Sequence, residues 1–157
     1  MKFERFTVKS REAIADAQAL AGKQGNPEIR PQHLLLVLLT QNKGVVSSLL
    51  SHVEADVQAL TREAAALVDN LPNVSGAAQA RVSSQLQKVF SEAEDISRDL
   101  GDSHIATEVL LLAIEAVNDK PQQLLRDYGL NAARLQEALG ILRGGQNVSG
   151  EDAESSY

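Results

Sequence analysis

The sequence predicts an all-α protein of eight helices, arranged as two repeats of four helices. Three observations support this fold class: an internal repeat, apolar residues at helical spacing, and the lack of any segment that alternates apolar and polar residues over strand length. The composition agrees, because Ala, Leu, Gln and Glu are abundant while aromatic residues make up only 3% of the chain.

The internal repeat is visible when Gly25 is aligned with Gly101, which sets an offset of 76 residues, the difference between the two positions. At this offset Ile29 meets Ile105, and the run Leu34–Leu36 meets Leu110–Leu112. The fourth and eighth predicted helices match at an offset of 75, which implies a one-residue deletion in the second copy. The chain is therefore predicted to form one double-repeat domain over residues 1–142, with repeats at about 6–69 and 82–142.

The first repeat contains four predicted helices. Thr7 stands where an N-cap belongs, and Pro31 fits the first turn of a helix, where its missing N–H has no intrahelical partner to lose. The helix after Pro31 is apolar almost all round, as expected at the centre of a small helical domain. The predicted helices are about Thr7–Lys23, Pro31–Thr40, Val45–His52 and Asp56–Asp69.

A connector rich in Asn, Pro, Ser and Gly is predicted from Asn70 to Ala80, after which the pattern restarts. An apolar stripe from Leu86 to Leu100 marks the fifth helix, and Gly101 closes it. The remaining predicted helices begin near Thr107, at Pro121 and after Asn131, where Leu130 and Leu135 are spaced as a hydrophobic staple. Residues 143–157 lose all apolar periodicity and are predicted to form a flexible linker.

Composition and charge exclude several classes of function. The chain has 157 residues and no cysteine, which excludes thiol catalysis, disulfides and cysteine-bound zinc and suits a reducing compartment. The net charge of −6 argues against nucleic acid as a partner. The longest apolar runs hold six residues, far short of a membrane span, and the N-terminus lacks a signal sequence. We expect a cytoplasmic protein without a membrane partner.

The sequence offers no constellation of catalytic or metal-ligating residues. The Gly-Lys-Ser/Thr end of a P-loop is missing, and the three histidines lie far apart. His33, at the start of a buried helix, is predicted to be a packing or capping residue. The second repeat carries Asp102 and Glu108 where the first carries Asn26 and Gln32. The simplest interpretation is that carboxylates favour helix N-termini.

Several motifs resemble a known family when they are taken together. The opening "FTVKSREAIADAQALAGKQGNPEIRPQHLLLVLL" and the later "GDSHIATEVLLLAI" resemble the two halves of the N-terminal domain of Clp/heat-shock ATPases. The tail "LRGGQNVSGEDAESSY" is similar to the linker that joins this domain to the first ATPase module in ClpB-type disaggregases. The resemblance implies a pseudo-two-fold pair of four-helix repeats without chemistry of its own.

The resemblance also implies a role in engaging unfolded or aggregated client proteins. Residues at the positions of Thr7, Asp102 and Glu108 are implicated in client engagement in that family. We predict that these three border an apolar groove, with Phe90 and Val109 as wall residues because their counterparts Ile14 and His33 are smaller or more polar.

Two other interpretations stay open. One is an adaptor-docking domain of a Clp unfoldase that feeds a peptidase, and the other is a stand-alone helical scaffold or enzyme. For this chain we predict a monomer with no cofactor and no ATP hydrolysis. The resemblance implies a homohexameric parent that uses ATP and Mg²⁺.

Overall fold

The computed structural model of the protein describes residues 3–41, 44–74 and 79–157. Eight α-helices dominate this described part, which confirms the predicted fold class. Residues 75–78 of the predicted connector lie outside the described residues. The helices are α1 (Val8–Lys23), α2 (Pro31–Thr40), α3 (Val45–His52), α4 (Val57–Asp69), α5 (Ser84–Asp99), α6 (Thr107–Ala116), α7 (Lys120–Asp127) and α8 (Ala132–Arg143).

The ends of the helices follow from local signals. The Thr7 hydroxyl caps α1 by accepting from the Ser10 N–H at 3.2 Å, and the Asn131 side chain caps α8 in the same way. Gly25 and Gly101 follow α1 and α5 with φ of 71° and 76°. Such positive φ angles favour glycine, which explains why this residue type recurs at the same place in both repeats.

The core is built around α2 and α6, the two helices that are apolar almost all round. Leu34 and Leu35 in α2 and Leu110 and Leu111 in α6 are at most 1% exposed. These four leucines occupy equivalent positions in the two repeats, and α2 and α6 contact each other. The remaining helices pack around this pair and bury it on all sides.

Two short parallel pairings join the repeats, and the sequence did not predict them. Strand β1 (Glu28–Ile29) pairs in parallel with β2 (Arg81–Val82), and Phe6 forms an isolated parallel bridge with Ile105. At the offset of 76, Ile29 corresponds to Ile105 and Phe6 to Val82. Each repeat therefore pairs with the start of the other, which produces the pseudo-two-fold relation. Strands of two residues are too short for an alternating pattern to reveal.

The C-terminal segment, residues 144–157, was predicted to be part of a flexible linker; its mobility stays a prediction, but the structure gives it contacts with the rest of the chain. It folds back onto the second repeat, where Val148 is fully buried and Ala153–Ser156 forms a short 3-10 helix. The prediction relied on low apolar content. The segment instead makes polar contacts with distant residues, and a compositional argument cannot detect these.

Candidate functional site

An open apolar groove of about 610 Å³ runs between α1 and α5. Its apolar walls come from both repeats, and Glu94 and Asp95 of α5 line its rim. Two of the wall residues are exposed, Phe3 by 53% and Val82 by 41%. The apolar wall residues are Phe3, Phe6, Ile14, Val82 and Phe90.

Three phenylalanine rings shape one wall of the groove. The Phe6 ring meets the Phe90 ring edge-on, with 5.6 Å between centroids, and the Phe3 ring lies 6.4 Å from Phe6. The Arg11 guanidinium stands 6.0 Å from the centroid of the Phe3 ring. Edge-to-face pairs of this kind hold aromatic rings in a defined orientation, so the wall is preorganised.

The position of the groove follows from the duplication. Phe6 corresponds to Val82, and Ile14 corresponds to Phe90, at the offset of 76. The groove is thus lined by matched positions of the two repeats and straddles their pseudo-two-fold axis. Larger side chains at Phe6 and Phe90 make its two halves unequal.

The structure separates the predicted site residues. Phe90 lines this groove, whereas Val109 is fully buried inside α6 and does not, and a role for Phe90 in client binding stays a prediction. Thr7, Asp102 and Glu108 lie near one another, yet all are buried, so none of them borders the open groove. The C-terminal segment covers these three residues, and a direct contact between them and a client stays a prediction.

Asp102 and Glu108 share one cation, Arg143 at the end of α8. Arg143 Nη1 lies 3.0 Å from Asp102 Oδ1, and its Nη2 lies 2.9 Å from Glu108 Oε2. All three side chains are at most 5% exposed. Among the described residues, Asp102 Oδ2 and Glu108 Oε1 accept no hydrogen bond. The cluster therefore has unused acceptors beside a single buried cation.

The C-terminal segment adds a third carboxyl group and an aromatic ring to this cluster. Tyr157 donates its hydroxyl proton to Glu108 and places its ring 5.5 Å from the Arg143 guanidinium carbon. Glu154 accepts from the Thr7 hydroxyl and from the backbone N–H of Thr107, the latter at 3.3 Å. Glu154 thus bridges the N-terminal ends of α1 and α6, where helix dipoles favour negative charge.

Burial shifts the pKa of several groups in the cluster. Burial, and then the negative charge of Glu108, raise the pKa of Glu154. The same two causes raise the pKa of Tyr157, which keeps its phenol protonated. For Arg143, burial is the largest single effect and lowers the pKa, but the charge and hydrogen bond of Glu108, together with Tyr157 and Asp102, outweigh it and the pKa rises. Arg143 therefore stays charged and holds the cluster together.

The equivalent place in the first repeat is neutral. His33 accepts from the Arg30 N–H at 2.9 Å through Nδ1, and its Nε2 lies 2.7 Å from Asn26 Oδ1. Burial lowers the pKa of His33 to about 4, so the ring is neutral at pH 7 and donates through Nε2. These contacts confirm that His33 caps α2.

Sequence reasoning missed Arg143, Glu154 and Tyr157, because it assigned all three to a linker. One feature of the sequence could have indicated the role of Arg143. At the offset of 75 that relates α8 to α4, Arg143 occupies the position of the buried Val68. A charged residue at a core position of one repeat, beside two new carboxylates in the same repeat, indicates a buried ion pair.

Residues 5–128 match the family described as the Clp repeat (R) N-terminal domain. The chain therefore belongs to the Clp repeat N-terminal domain family.

Among curated relatives, the chain is similar to the chaperone protein ClpB of Vibrio cholerae. The two are 36% identical over 157 residues, which cover 98% of this chain and 18% of ClpB. ClpB of Rhodopirellula baltica is 32% identical over 99% of this chain. The similarity is thus to the N-terminal domain of the ClpB type, and the chain spans about a fifth of the length of these relatives.

Among solved structures, the Hsp104 N-terminal domain from Candida albicans matches with a TM-score of 0.86 and 22% identity, over 96% of this chain and 99% of that one. A complex of a ClpV N-domain with a VipB peptide matches with a TM-score of 0.73 and 18% identity, over 96% and 90%. At these identities the matches support the fold alone, and they confirm the helical double repeat.

The described residues show neither a metal-binding cluster nor a single helix that could span a membrane. They contain no group of three or more His, Cys, Asp or Glu side chains arranged to hold a metal ion. No single described helix is long and apolar enough to cross a membrane. Helices α2 and α3 pass that test only as a pair bent by 81°. The sequence contains no P-loop ending in Gly-Lys-Ser/Thr.

Proposed function

We propose that this domain binds extended, apolar segments of unfolded or aggregated proteins in the groove between α1 and α5. The observation that supports this proposal most is that Phe3 and Val82 are exposed, beside the half-buried Phe90, on one concave surface. In a monomeric protein an apolar concavity of this kind marks a binding site more often than a structural feature. We infer that the domain serves as a substrate-engaging accessory of a ClpB-type ATP-dependent disaggregase.

The groove suits weak and broadly specific binding. Apolar contact contributes about 25 cal/mol per Å² of buried surface, and the cost of ordering an extended client offsets most of this gain. The rim carboxylates Glu94 and Asp95 each pair with an arginine, Arg5 and Arg98, at the surface. Exposed pairs of this kind contribute only about 0–1 kcal/mol, so a basic client residue can replace either arginine. We expect apolar-basic peptides to bind better than acidic ones.

The descriptions of two similar proteins support this proposal. ClpB is named as a chaperone protein, and the ClpV N-domain complex shows that a domain of this fold holds a peptide. That complex also favours a second candidate function, the docking of one defined partner or adaptor. The two candidates differ in selectivity, because a client site accepts many unrelated apolar peptides and an adaptor site accepts one.

The wider context also belongs to the proposal. We infer a cytoplasmic location, a monomeric fragment, and a full-length parent that assembles as a homohexamer and uses ATP and Mg²⁺. For this chain we propose no cofactor and no ATP hydrolysis. Purified chain incubated with ATP should release no more phosphate than buffer does.

The groove can be tested with two pairs of exposed apolar residues. Phe3→Ser with Val82→Ser removes apolar surface inside the groove, while Leu100→Ser with Ile141→Ser removes it elsewhere. Leu100 is 37% and Ile141 57% exposed, so the two double variants lose similar surface. Binding is measured by fluorescence anisotropy with labelled apolar-basic, acidic and scrambled peptides.

We expect the groove variant to weaken binding of the apolar-basic peptide at least five-fold and the control variant to leave it unchanged. Equal affinities for wild type and both variants would contradict the client site. Strong preference for a single peptide sequence over its scrambled version would favour the adaptor-docking function instead.

A further inference from the structure

The C-terminal segment begins with a reversal of the chain. Gly144 and Gly145 follow α8 with φ of 57° and 89°, angles that turn the backbone back towards the second repeat. Residues 146–157 then cross the N-terminal ends of α1 and α6. We call the surface under them the α1/α6 seam, formed by Thr7, Val8, Asp102, Ser103, Thr107 and Glu108.

The segment binds the seam as an extended peptide would. The Ser103 N–H donates to the Val148 carbonyl at 2.7 Å, and the Val148 N–H donates to Asp102 Oδ1 at 3.0 Å. Further along, the Val8 N–H donates to the Glu151 carbonyl at 2.9 Å. Backbone contacts of this type depend little on side-chain identity, so the seam can hold other chains in the same way.

Three side chains anchor the segment. Val148 is fully buried, Glu154 is buried between Thr7 and Thr107, and Tyr157 is half-buried against Glu108. The side chains of Ser149, residues 151–153 and Ser155 are exposed or half-buried. An attachment with so few buried apolar groups is drawn from the low-stability end of a folded protein.

The groups that the second repeat contributes to the seam have no counterpart in the first repeat. At the offset of 76, Thr107 corresponds to Pro31, which has no N–H to donate to a carboxylate. Asp102 and Glu108 correspond to the neutral Asn26 and Gln32. The α6 side of the receptor is therefore particular to the second repeat, and Thr7 and Val8 of the first repeat complete the seam.

The charges in the seam allow the C-terminal segment to leave as well as to bind. Closure places the Glu154 carboxyl group close enough to Glu108 for the charge of Glu108 to act on it, while Arg143 pairs only with Asp102 and Glu108. Release returns Glu154 to water and leaves Arg143, which belongs to α8, paired with the other two. The ion pair under the segment thus persists when the segment leaves.

From these contacts we propose that residues 146–157 form a reversible intramolecular latch that occupies the α1/α6 seam and blocks it to other extended chains. Opening the latch exposes Thr7, Val8, Ser103 and Thr107 as donors beside the unused carboxylate oxygens of Asp102 and Glu108. The latch does not depend on the groove between α1 and α5, so either proposal can fail alone.

The latch can be tested by opening it and supplying the segment in trans. Val148→Asp with Glu154→Ala removes two anchors from the full chain. Ser149→Asp introduces the same charge at the exposed neighbouring position and is the matched control. The probe is the synthetic peptide QNVSGEDAESSY, which corresponds to residues 146–157, and binding is followed by amide chemical shifts.

We expect the peptide to shift the Val8, Ser103 and Thr107 amides of the opened variant, with an affinity at least ten-fold higher than for wild type or Ser149→Asp. The reason is that a tethered segment competes at an effective concentration near the millimolar range. Equal binding to all three proteins, or binding to none, would overturn the latch. Loss of helical circular dichroism in the opened variant would also overturn it, because the segment would then belong to the folding core.

Hydrogen exchange in wild type tests reversibility without any substitution. The Val8, Ser103 and Val148 amides should exchange together, and at least ten-fold faster than the buried amides of α2. Exchange of these three amides as slow as that of α2 would show that the segment opens only with global unfolding, and the proposal would be wrong.

Discussion

The two repeats share a backbone plan, and one difference in charge between them involves three matched positions that form a single cluster. The first repeat has Asn26, Gln32 and Val68 where the second has Asp102, Glu108 and Arg143. The offsets are 76 for the first two pairs and 75 for the third. Two carboxylates and one cation have thus replaced a neutral set, and each charge is buried beside its partner.

The difference matters because both repeats hold the chain that leaves them at the same place. In the first repeat, Asn26 donates to the Pro72 carbonyl at 2.9 Å, and the Val74 N–H donates to the Gly25 carbonyl. In the second, Asp102 accepts from the Val148 N–H and the Ser103 N–H donates to the Val148 carbonyl. A neutral amide holds an internal connector, whereas a charged cluster holds a terminal segment.

The largest expected loss of stability comes from removing Arg143 while its two carboxylate partners stay in place. Arg143→Val alone leaves two carboxylates buried without a cation, and we expect the free energy of unfolding to fall by about 3–5 kcal/mol. The combined substitution Asp102→Asn, Glu108→Gln and Arg143→Val copies the neutral set of the first repeat. The triple substitution should lower the free energy of unfolding by less than about 2 kcal/mol, because the amide oxygen introduced at either position can still accept a hydrogen bond.

Urea unfolding of the single and triple variants measures both values. If the triple variant were as unstable as Arg143→Val, the three positions would not act as one unit. The first repeat would then be a poor guide to the second.

The next prediction compares His33 with its counterpart in the second repeat through the pH dependence of stability. His33 has a pKa of about 4 in the folded protein, and its counterpart Val109 does not titrate. Between pH 6.5 and 4 the unfolded chain binds a proton at His33 that the folded protein does not, so stability should fall as pH falls through this range. The expected loss is about 3 kcal/mol. Carboxyl groups also titrate here, so we compare wild type with His33→Gln in urea at each pH. An identical pH dependence in both proteins would contradict the prediction.

A smaller effect compares the two N-caps, Thr7 and Ser83. Ser83 accepts from the Leu86 N–H at 3.0 Å, as Thr7 does from Ser10, but only Thr7 also contacts Glu154. Ser83→Ala should lower stability by about 1 kcal/mol, the usual contribution of an N-cap. Thr7→Ala should cost more, about 1–2 kcal/mol, because Glu154 also loses a partner. Thermal unfolding of both variants gives the comparison, and a smaller loss for Thr7→Ala would show that the contact with Glu154 is worth nothing.

The smallest expected effect concerns the pH dependence of the C-terminal segment. The raised pKa of Glu154 means that the docked segment binds a proton more tightly than the released one, so docking is favoured at low pH and weakens as pH rises through that pKa. Glu154→Gln should keep the segment docked at all pH values. The exchange rates of the Val8 and Ser103 amides, corrected for their intrinsic pH dependence, measure this difference. The charged and titratable groups around Glu154 are Asp102, Glu108, Arg143 and Tyr157, with Arg11 and Glu151 nearby.

Local signals in the sequence determined most of the fold. Thr7 and Asn131 cap helices where they were expected, Pro31 opens α2, and Gly101 follows α5 with a positive φ. These outcomes depend on neighbours within four residues, and such neighbours are visible in the chain itself. The repeat with its offset of 76 also came from the sequence alone, because duplication preserves spacing.

Only the tertiary structure decided which surfaces are open and which are closed. Phe3, Phe6 and Val82 gather in one groove because the parallel pairings of Phe6 with Ile105 and of Ile29 with Val82 bring the two repeat starts together. The sequence pattern made Val109 a candidate wall residue of the groove, but it is fully buried because other elements surround α6 on all sides. Residues 144–157 resembled a linker by composition, yet Thr7, Thr107 and Glu108, far away in sequence, supply partners for Glu154 and Tyr157. The energy of such contacts depends on two distant residues at once, and no local pattern records it.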